Sequence, residues 1–201
     1  MAYYQMATQC GIEMTECRLL EENNRAHFMT RRFDRLPGKE KLHVQTWCAL
    51  DHKDFQQIGS FSYEELFQTM RALSLPYPQA EQLFRRMTFN LLARNCDDHT
   101  KNFAFTMDKS GTWNLSPAYD ICHAYRPGSI WVSRQSLSIN GKREQINRSD
   151  LLEVARKMNI KRADPLINEI QGVIGQWKRY AKQVGVSSRL SEAIHQTLIN
   201  L

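Results

Sequence analysis

A stripe of apolar residues, Ala80, Leu83, Phe84, Met87 and Leu91, runs at i, i+3, i+4 spacing from just after Pro76 and Pro78. That period commits one face of a helix to a core, and the prolines predict that one helix stops before them and another restarts at Gln79. Beyond the stripe the character of the chain reverses. Asn95-Cys96-Asp97-Asp98-His99-Thr100-Lys101-Asn102 carries a polar or ionisable group at every position. Any fold of this chain must present that run where a buried helix ends, so the chemistry of the molecule is expected there. The stripe itself reads as core and not as a cofactor box.

The flanking segments suggest what surrounds this junction. Tyr3, Met6, Ala7 and Cys10 share a helical face that Gly11 can stop, and no N-cap residue precedes them. The chain is therefore expected to begin inside an element whose earlier part is missing. Cys17–Leu20 and His27–Thr30, around the polar turn Glu22-Asn23-Asn24-Arg25, predict a hairpin. The stretch from His43 to Leu50 has too few turn residues for a loop and reads as a short helix. Ser62-Tyr63-Glu64-Glu65 is a capping box that opens a helix from 63 to about 73. Phe103–Thr106 and Thr112–Leu115 flank Asp108-Lys109-Ser110-Gly111, a second hairpin. Residues 116–147, with Pro117, Pro127, Gly128 and Gly141, read as a long irregular loop of the functional or mobile kind. Helices are predicted at 150–158, roughly 162–184 and 188–199. The fold class is mainly α with two small β-hairpins.

Composition bounds the partners and the compartment. The 201 residues are 42% hydrophobic, with four Trp and nine Phe, enough for one core. No segment approaches the ~18 consecutive apolar residues of a membrane span, and residues 1–10 lack the pattern of a secretory signal. Five scattered cysteines, Cys10, Cys17, Cys48, Cys96 and Cys122, form no C-x-x-C pair. Free thiols in a cytoplasmic, reducing compartment are expected. The net charge of +6 permits an anionic partner without singling one out, because excess Lys and Arg most often form a solvated face.

The polar run has the layout of a phosphoryl-transfer loop. Such chemistry needs a carboxylate to orient a hydroxyl and accept its proton, and two oxygen ligands to hold Mg²⁺ against nucleotide phosphates. In kinase catalytic loops the metal-binding Asn follows the catalytic Asp at a fixed short interval, and a second Asp follows a hairpin. Asp97 and Asn102 have that interval, and Asp120 lies just beyond the predicted hairpin. Singly, each has a plainer role as a cap, a turn residue or an ion-pair partner; jointly, in this context, they favour catalysis. A zinc or di-metal hydrolase could draw on His99, Asp97, Asp98, Asp120 and His123, but His99 does not sit at i, i+4 with a second ligand. A Ser-His-Asp hydrolase is weaker, since no G-x-S-x-G elbow occurs.

Four blocks carry a family resemblance: Arg31-Arg32-Phe33-Asp34-Arg35, His43–Leu50, Cys96–Phe103 and Leu115-Ser116-Pro117-Ala118-Tyr119-Asp120-Ile121. In this order they resemble the HipA-like serine/threonine kinases of bacterial toxin–antitoxin modules, including the compact HipT-type toxins. The resemblance covers most of residues 1–125. It implies Asp97 as base and Asn102 and Asp120 as Mg²⁺ ligands, with His99 and Lys101 against phosphate and Tyr119 bordering the nucleotide. Arg31, Arg32 and Phe33 would form the hinge that meets the adenine of ATP; many relatives have Glu where Arg31 stands, and backbone contacts survive that departure. The implied division is a hinge-side helix and hairpin (1–35), a catalytic core (36–125), a loop (126–147) and a helical tail (148–201). The substrate implied is a protein hydroxyl, such as one on an aminoacyl-tRNA synthetase, with an antitoxin as partner and DNA contacted only through it. The family's Gly-rich loop, its ATP-binding Lys and the helix Glu lie upstream of the motif that begins here at Tyr3. The expectation is thus a C-terminal kinase lobe whose N-terminal lobe is missing, binding ATP poorly and turning over little by itself. The alternative is a binding or regulatory module that engages an antitoxin or DNA without chemistry.

Overall fold

The computed structural model describes the backbone of all 201 residues and every side chain but that of Lys39. In chain order the elements are α1 (Ala2–Gln9), β1 (Cys17–Glu22), β2 (Arg25–Thr30), β3 (His43–Thr46), α2 (Trp47–Leu50), α3 (Tyr63–Ala72), α4 (Tyr77–Leu92), β4 (Ala104–Met107), β5 (Trp113–Leu115), α5 (Arg148–Met158), α6 (Ala163–Ile174), α7 (Trp177–Gln183) and α8 (Ser188–His195). The strands make two small antiparallel sheets, β1-β2 and β3-β4-β5. The class is mainly α, as the sequence suggests.

The stripe helix α4 is the axis of the molecule. Its second half is buried on every side, from Arg86 to Leu92, the pattern of a helix enclosed by others. Helices α3 and α6 pack against it, and α1 packs against α6 and α7. Tyr3 of α1 joins the layers: its ring lies edge-on to Phe89 at 6.0 Å and to Trp177 at 5.7 Å, and its hydroxyl donates to the Ala93 carbonyl at 2.5 Å. α4 begins at Tyr77, two residues before the expected restart, because Pro78 fits within a first turn whose N–H groups need no partner.

Several local expectations change on long-range contact. His43–Leu50 is a strand followed by a single helical turn. Val44 and Thr46 suit a pleated strand, which pairs with β4, and the Thr46 hydroxyl then caps α2 at Ala49 N. The second hairpin is therefore two strands of a three-stranded sheet. The helix expected over 162–184 is two helices, because the chain turns at Gly175-Gln176. The last helix ends at His195, short of the expected 199. Residues 116–147 contain no helix or strand, yet Leu137, Ile139 and Ile146 are buried, so the loop is a packed element. The β1-β2 hairpin closes on Asn23-Asn24, both at positive φ, the geometry that matches hairpin twist. No helix among the described residues is long and apolar enough to cross a membrane.

The capping box at α3 forms as predicted: the Ser62 side chain accepts from Glu65 N at 3.1 Å, and Glu65 accepts from Ser62 N at 2.8 Å. Ser62→Ala leaves that first turn short of one acceptor and should cost about 1 kcal/mol. Urea unfolding should show a lower midpoint at unchanged m-value; an unchanged midpoint would contradict the cap assignment.

Candidate active site

The polar run starts where α4 is turned off. Arg94 adopts φ 57°, and Asn95 N donates back to Asn90 O at 2.9 Å while Arg94 N donates to Leu91 O at 3.3 Å. This is the two-bond helix terminus normally built on glycine. Its left-handed residue is here an arginine, whose guanidinium lies 3.6 Å from the centre of the Tyr125 ring. The chain then runs as an exposed-edged loop through Asp97 to a short 3₁₀ turn, Thr100–Asn102.

Within that loop the sequence-predicted residues lock to one another. Asn102 Nδ2 donates to the Asp97 carbonyl at 2.8 Å, which fixes the amide and leaves Oδ1 as a free acceptor. His99 Nδ1 accepts from Lys101 N at 3.3 Å, so its Nε2 faces Asp97, 3.8 Å from the carboxylate. Tyr119 donates its hydroxyl to the Lys101 carbonyl at 2.6 Å. Asp120 follows at φ 55°, and its carbonyl accepts from Asn95 Nδ2 at 3.5 Å. The segment after it is strapped to the loop, because Cys96 N donates to Ala124 O and Ala124 N to Arg94 O. Lys101 is exposed and rests its ammonium 3.4 Å from the centre of the Phe55 ring.

The hinge-side residues form the opposite wall. Phe33 stacks on Tyr119 with centroids 5.9 Å apart and planes at 29°. The two rings, with Thr30, Arg31, Arg32 and Val44, line a cleft of about 280 Å³. Arg32 is folded back: Nε and Nη2 each reach Asp34 at 2.7 Å, which holds that carboxyl down at about 2. Arg32 thus contributes backbone to the cleft, and Arg31 is exposed. A second, apolar cleft of about 370 Å³ includes Tyr3, Phe28, Tyr119, Asp120 and Trp177, and meets the first at Thr30 and Tyr119.

The donor set fits a magnesium–nucleotide site. The Asp120 carboxylate and Asn102 Oδ1 take no protein donor among the described residues, and hard oxygens of this kind leave the rest of an octahedron to water and phosphate. The five-residue hydrolase set does not gather. His123 Nε2 bonds Thr197 Oγ1 at 3.0 Å in the C-terminal tail, and Asp98 is consumed in a buried network. Among the described residues no three His, Cys, Asp or Glu side chains converge. Burial pushes the Cys96 thiol up to about 12, so it is no thiolate nucleophile at neutral pH.

Sequence reasoning missed the groups that hold this arrangement. Asp98, 1% exposed, accepts from Tyr63 Oη at 2.7 Å, Gln135 Nε2 at 3.0 Å and Ser136 N at 2.7 Å. Gln135 Nε2 also reaches Asn95 O at 3.2 Å, and Ser136 Oγ reaches Cys96 O at 3.0 Å. Residues 95–98 are thereby clamped to the second half of the irregular loop. Arg86, 2% exposed, donates to Ser116 O at 2.7 Å and braces the segment that leads to Tyr119; burial lowers its pKa to about 10. A sequence signal for the clamp exists only in the alternation Leu137-Ser138-Ile139, which marks a buried stretch inside the loop.

Burial outweighs the three hydrogen bonds and pushes the Asp98 carboxyl up from 3.8 to about 6. The folded state therefore binds this proton more tightly than the unfolded chain. Its contribution to stability is full below about pH 4 and is lost as pH rises through 6. Relative to Asp98→Asn, the wild type should lose about 2 kcal/mol between pH 4 and 7. Denaturant melts of both proteins across that range check this, and a pH-independent difference would contradict it.

Comparison with known proteins places the fold and the family. The chain matches the HipA-like C-terminal domain over residues 1–199. It is 23% identical over 126 residues to the Sinorhizobium fredii (strain NBRC 101917 / NGR234) protein "Putative kinase Y4mE", a match covering 58% of this chain and 30% of that one. Its backbone superposes with TM-score 0.74 on HipA from the toxin–antitoxin complex of HipA, HipB and operator DNA of Shewanella oneidensis MR-1, at 18% identity, covering 97% of this chain and 51% of that one. The Helicobacter pylori proinflammatory kinase CtkA superposes with TM-score 0.62 at 15% identity, covering 97% and 78%. The chain thus spans about half the length of HipA and under a third of the curated relative. At these identities the superpositions establish a shared kinase-like fold, and with the full-length family match the chain belongs to the HipA-like C-terminal domain family.

Proposed function

We propose that these residues are the catalytic core of a serine/threonine protein kinase that uses Mg²⁺–ATP to phosphorylate a protein hydroxyl. The observation that carries this reading is the bond from Asn102 Nδ2 to the Asp97 carbonyl, which leaves Asn102 Oδ1 and the Asp120 carboxylate as the open oxygens of one loop system. Asp97 would orient the acceptor hydroxyl and take its proton as that oxygen bonds the γ-phosphorus and the bridging P–O bond breaks, with ADP as the leaving group. Asn102 and Asp120 would hold magnesium, which when bound neutralises charge on the phosphates. His99 and Lys101 would contact the phosphates, the Lys101 side chain being long enough to leave Phe55. Phe33 and Tyr119 would border the adenine, with the backbone of Arg31 and Arg32 contributing to the same cleft.

Positioning is most of what a kinase contributes, and these 201 residues hold no clustered Gly-rich loop and no V-A-I-K-like strand. The reading therefore assigns those groups to sequence outside these residues or to another chain, and expects weak ATP binding and little turnover without them. The HipA neighbour, solved with HipB and operator DNA, supports an antitoxin protein as partner, through which DNA would be met. An aminoacyl-tRNA synthetase is the substrate suggested by resemblance, and the cytoplasm is the expected compartment.

Calorimetric titration of Mg²⁺–ATP, with and without the N-terminal lobe of a HipA-like relative supplied in trans, tests this. Asp120→Ala should weaken metal-dependent nucleotide binding by about tenfold or more, whereas Asp97→Asn should keep binding and abolish transfer. If neither substitution matters and the reconstituted protein binds no Mg²⁺–ATP, the kinase reading fails. Retained antitoxin binding would then favour the regulatory module.

A further inference from the structure

Residues 125–134 form an excursion whose two feet both stand on the catalytic loop. The chain leaves at Ala124, bonded to Cys96 N and Arg94 O, and returns at Gln135 and Ser136, bonded to Asn95, Cys96 and Asp98. Between these feet the excursion is closed and ordered. Arg126 N donates to Val132 O at 3.1 Å, and Ser129 Oγ accepts from Trp131 N and Val132 N. Its tip nevertheless presents Ile130 and Trp131 to solvent, 75% and 47% exposed. Large apolar side chains held outward on a preorganised loop are the profile of an interaction anchor.

The charge around the tip has one sign. Between Asp120 and Glu144 the sequence contains Arg126, Arg134, Lys142 and Arg143 and no acidic residue. Lys142 is engaged by Asp150 at 2.9 Å, and Arg143 Nε by the Gln135 carbonyl at 2.6 Å. Arg126 is exposed, and Arg134 is half exposed with its nearest carboxylate, Glu144, at 3.6 Å. The available cations thus flank the apolar tip.

We infer that this loop docks the polypeptide that carries the acceptor hydroxyl, taking a segment with an apolar side chain and acidic neighbours. The inference rests on the kinase reading, because it uses Asp97 as the point the hydroxyl must reach. Both feet are bonded to residues 94–98, so the loop is rooted in the same backbone that carries Asp97. A polypeptide fits better than a nucleic acid. Ile130, the most exposed group of the tip, has no face for base stacking and suits an aliphatic side chain of a peptide, and Trp131 alone there offers a ring.

Fluorescence anisotropy on the full chain tests this without requiring turnover. Three labelled probes are compared at low salt: a Ser-centred peptide with Leu and Glu neighbours, the same peptide with Lys for Glu, and an oligouridine of equal length. The acidic peptide should bind about tenfold or more tighter than the other two. Trp131→Ala, and separately Arg126→Ser with Arg134→Ser, should each weaken it about fivefold or more, while Arg189→Ser on remote α8 and Mg²⁺–ATP titration stay unchanged. Absent binding, equal binding of the Lys peptide, tighter binding of the oligouridine or indifference to both variants would each overturn the proposal. Peptide binding retained while the protein reconstituted with the N-terminal lobe binds no Mg²⁺–ATP would sink the kinase reading and leave the docking surface standing.

Discussion

A carboxylate buried inside a protein is costly unless every lone pair meets a donor. Asp98 offsets part of that cost by accepting from Tyr63, Gln135 and the Ser136 backbone. Those donors come from α3 and from the far side of the irregular loop, so satisfying one side chain fixes three pieces of chain together. Asn90 on the central helix extends the network, donating to the Tyr63 hydroxyl at 3.0 Å, and accepts from Asn95 Nδ2 at 3.0 Å. The partly exposed neighbour, Asp97, is thereby held on a loop that has no regular structure of its own. The polar core of this molecule acts as the scaffold for its polar surface chemistry.

Helix α4 supplies the other half of that scaffold. Its burial on all sides forces its C-terminal carbonyls to find partners, which Arg94 in the left-handed region and the Tyr3 hydroxyl provide. Ending the helix this way aims the chain at the cleft between the loop and the hinge-side rings. Arg86 on the same helix braces Ser116, so the segment leading to Tyr119 and Asp120 is set by the helix that also launches Asp97. One rigid element thus orients both strands of the candidate site.

Local periodicity made the stripe helix, the α3 capping box and the two turns rich in Asn, Asp and Gly readable from residues alone. Features that depend on distant partners were not. His43–Thr46 becomes a strand only because β4 offers an edge, and its four residues carry no decisive period of their own. Gly175 is compatible with a helix interior until the packing of α7 on α1 and α8 turns the chain there. The candidate site divides along the same line. Asp97, Asn102 and Asp120 announce themselves by spacing, while Asp98, adjacent and chemically identical to Asp97, differs only in what surrounds it. Gln135 and Ser136 lie in a stretch whose Pro and Gly content suggests a mobile loop, and only their burial, at 1% and 7% exposed, reveals a clamp.

On the proposed function, the loop from Asp97 to Asn102 and the left-handed Asp120 form one metal–nucleotide site. Paramagnetic broadening of amide resonances by Mn²⁺–ATP tests it most directly, because the effect is strong even at weak occupancy. The account predicts that the Asn102 side-chain amide and the Asp120 backbone amide broaden first and together, only in the presence of nucleotide, with α5 to α8 spared. Broadening centred elsewhere, or confined to one of the two residues, would contradict it.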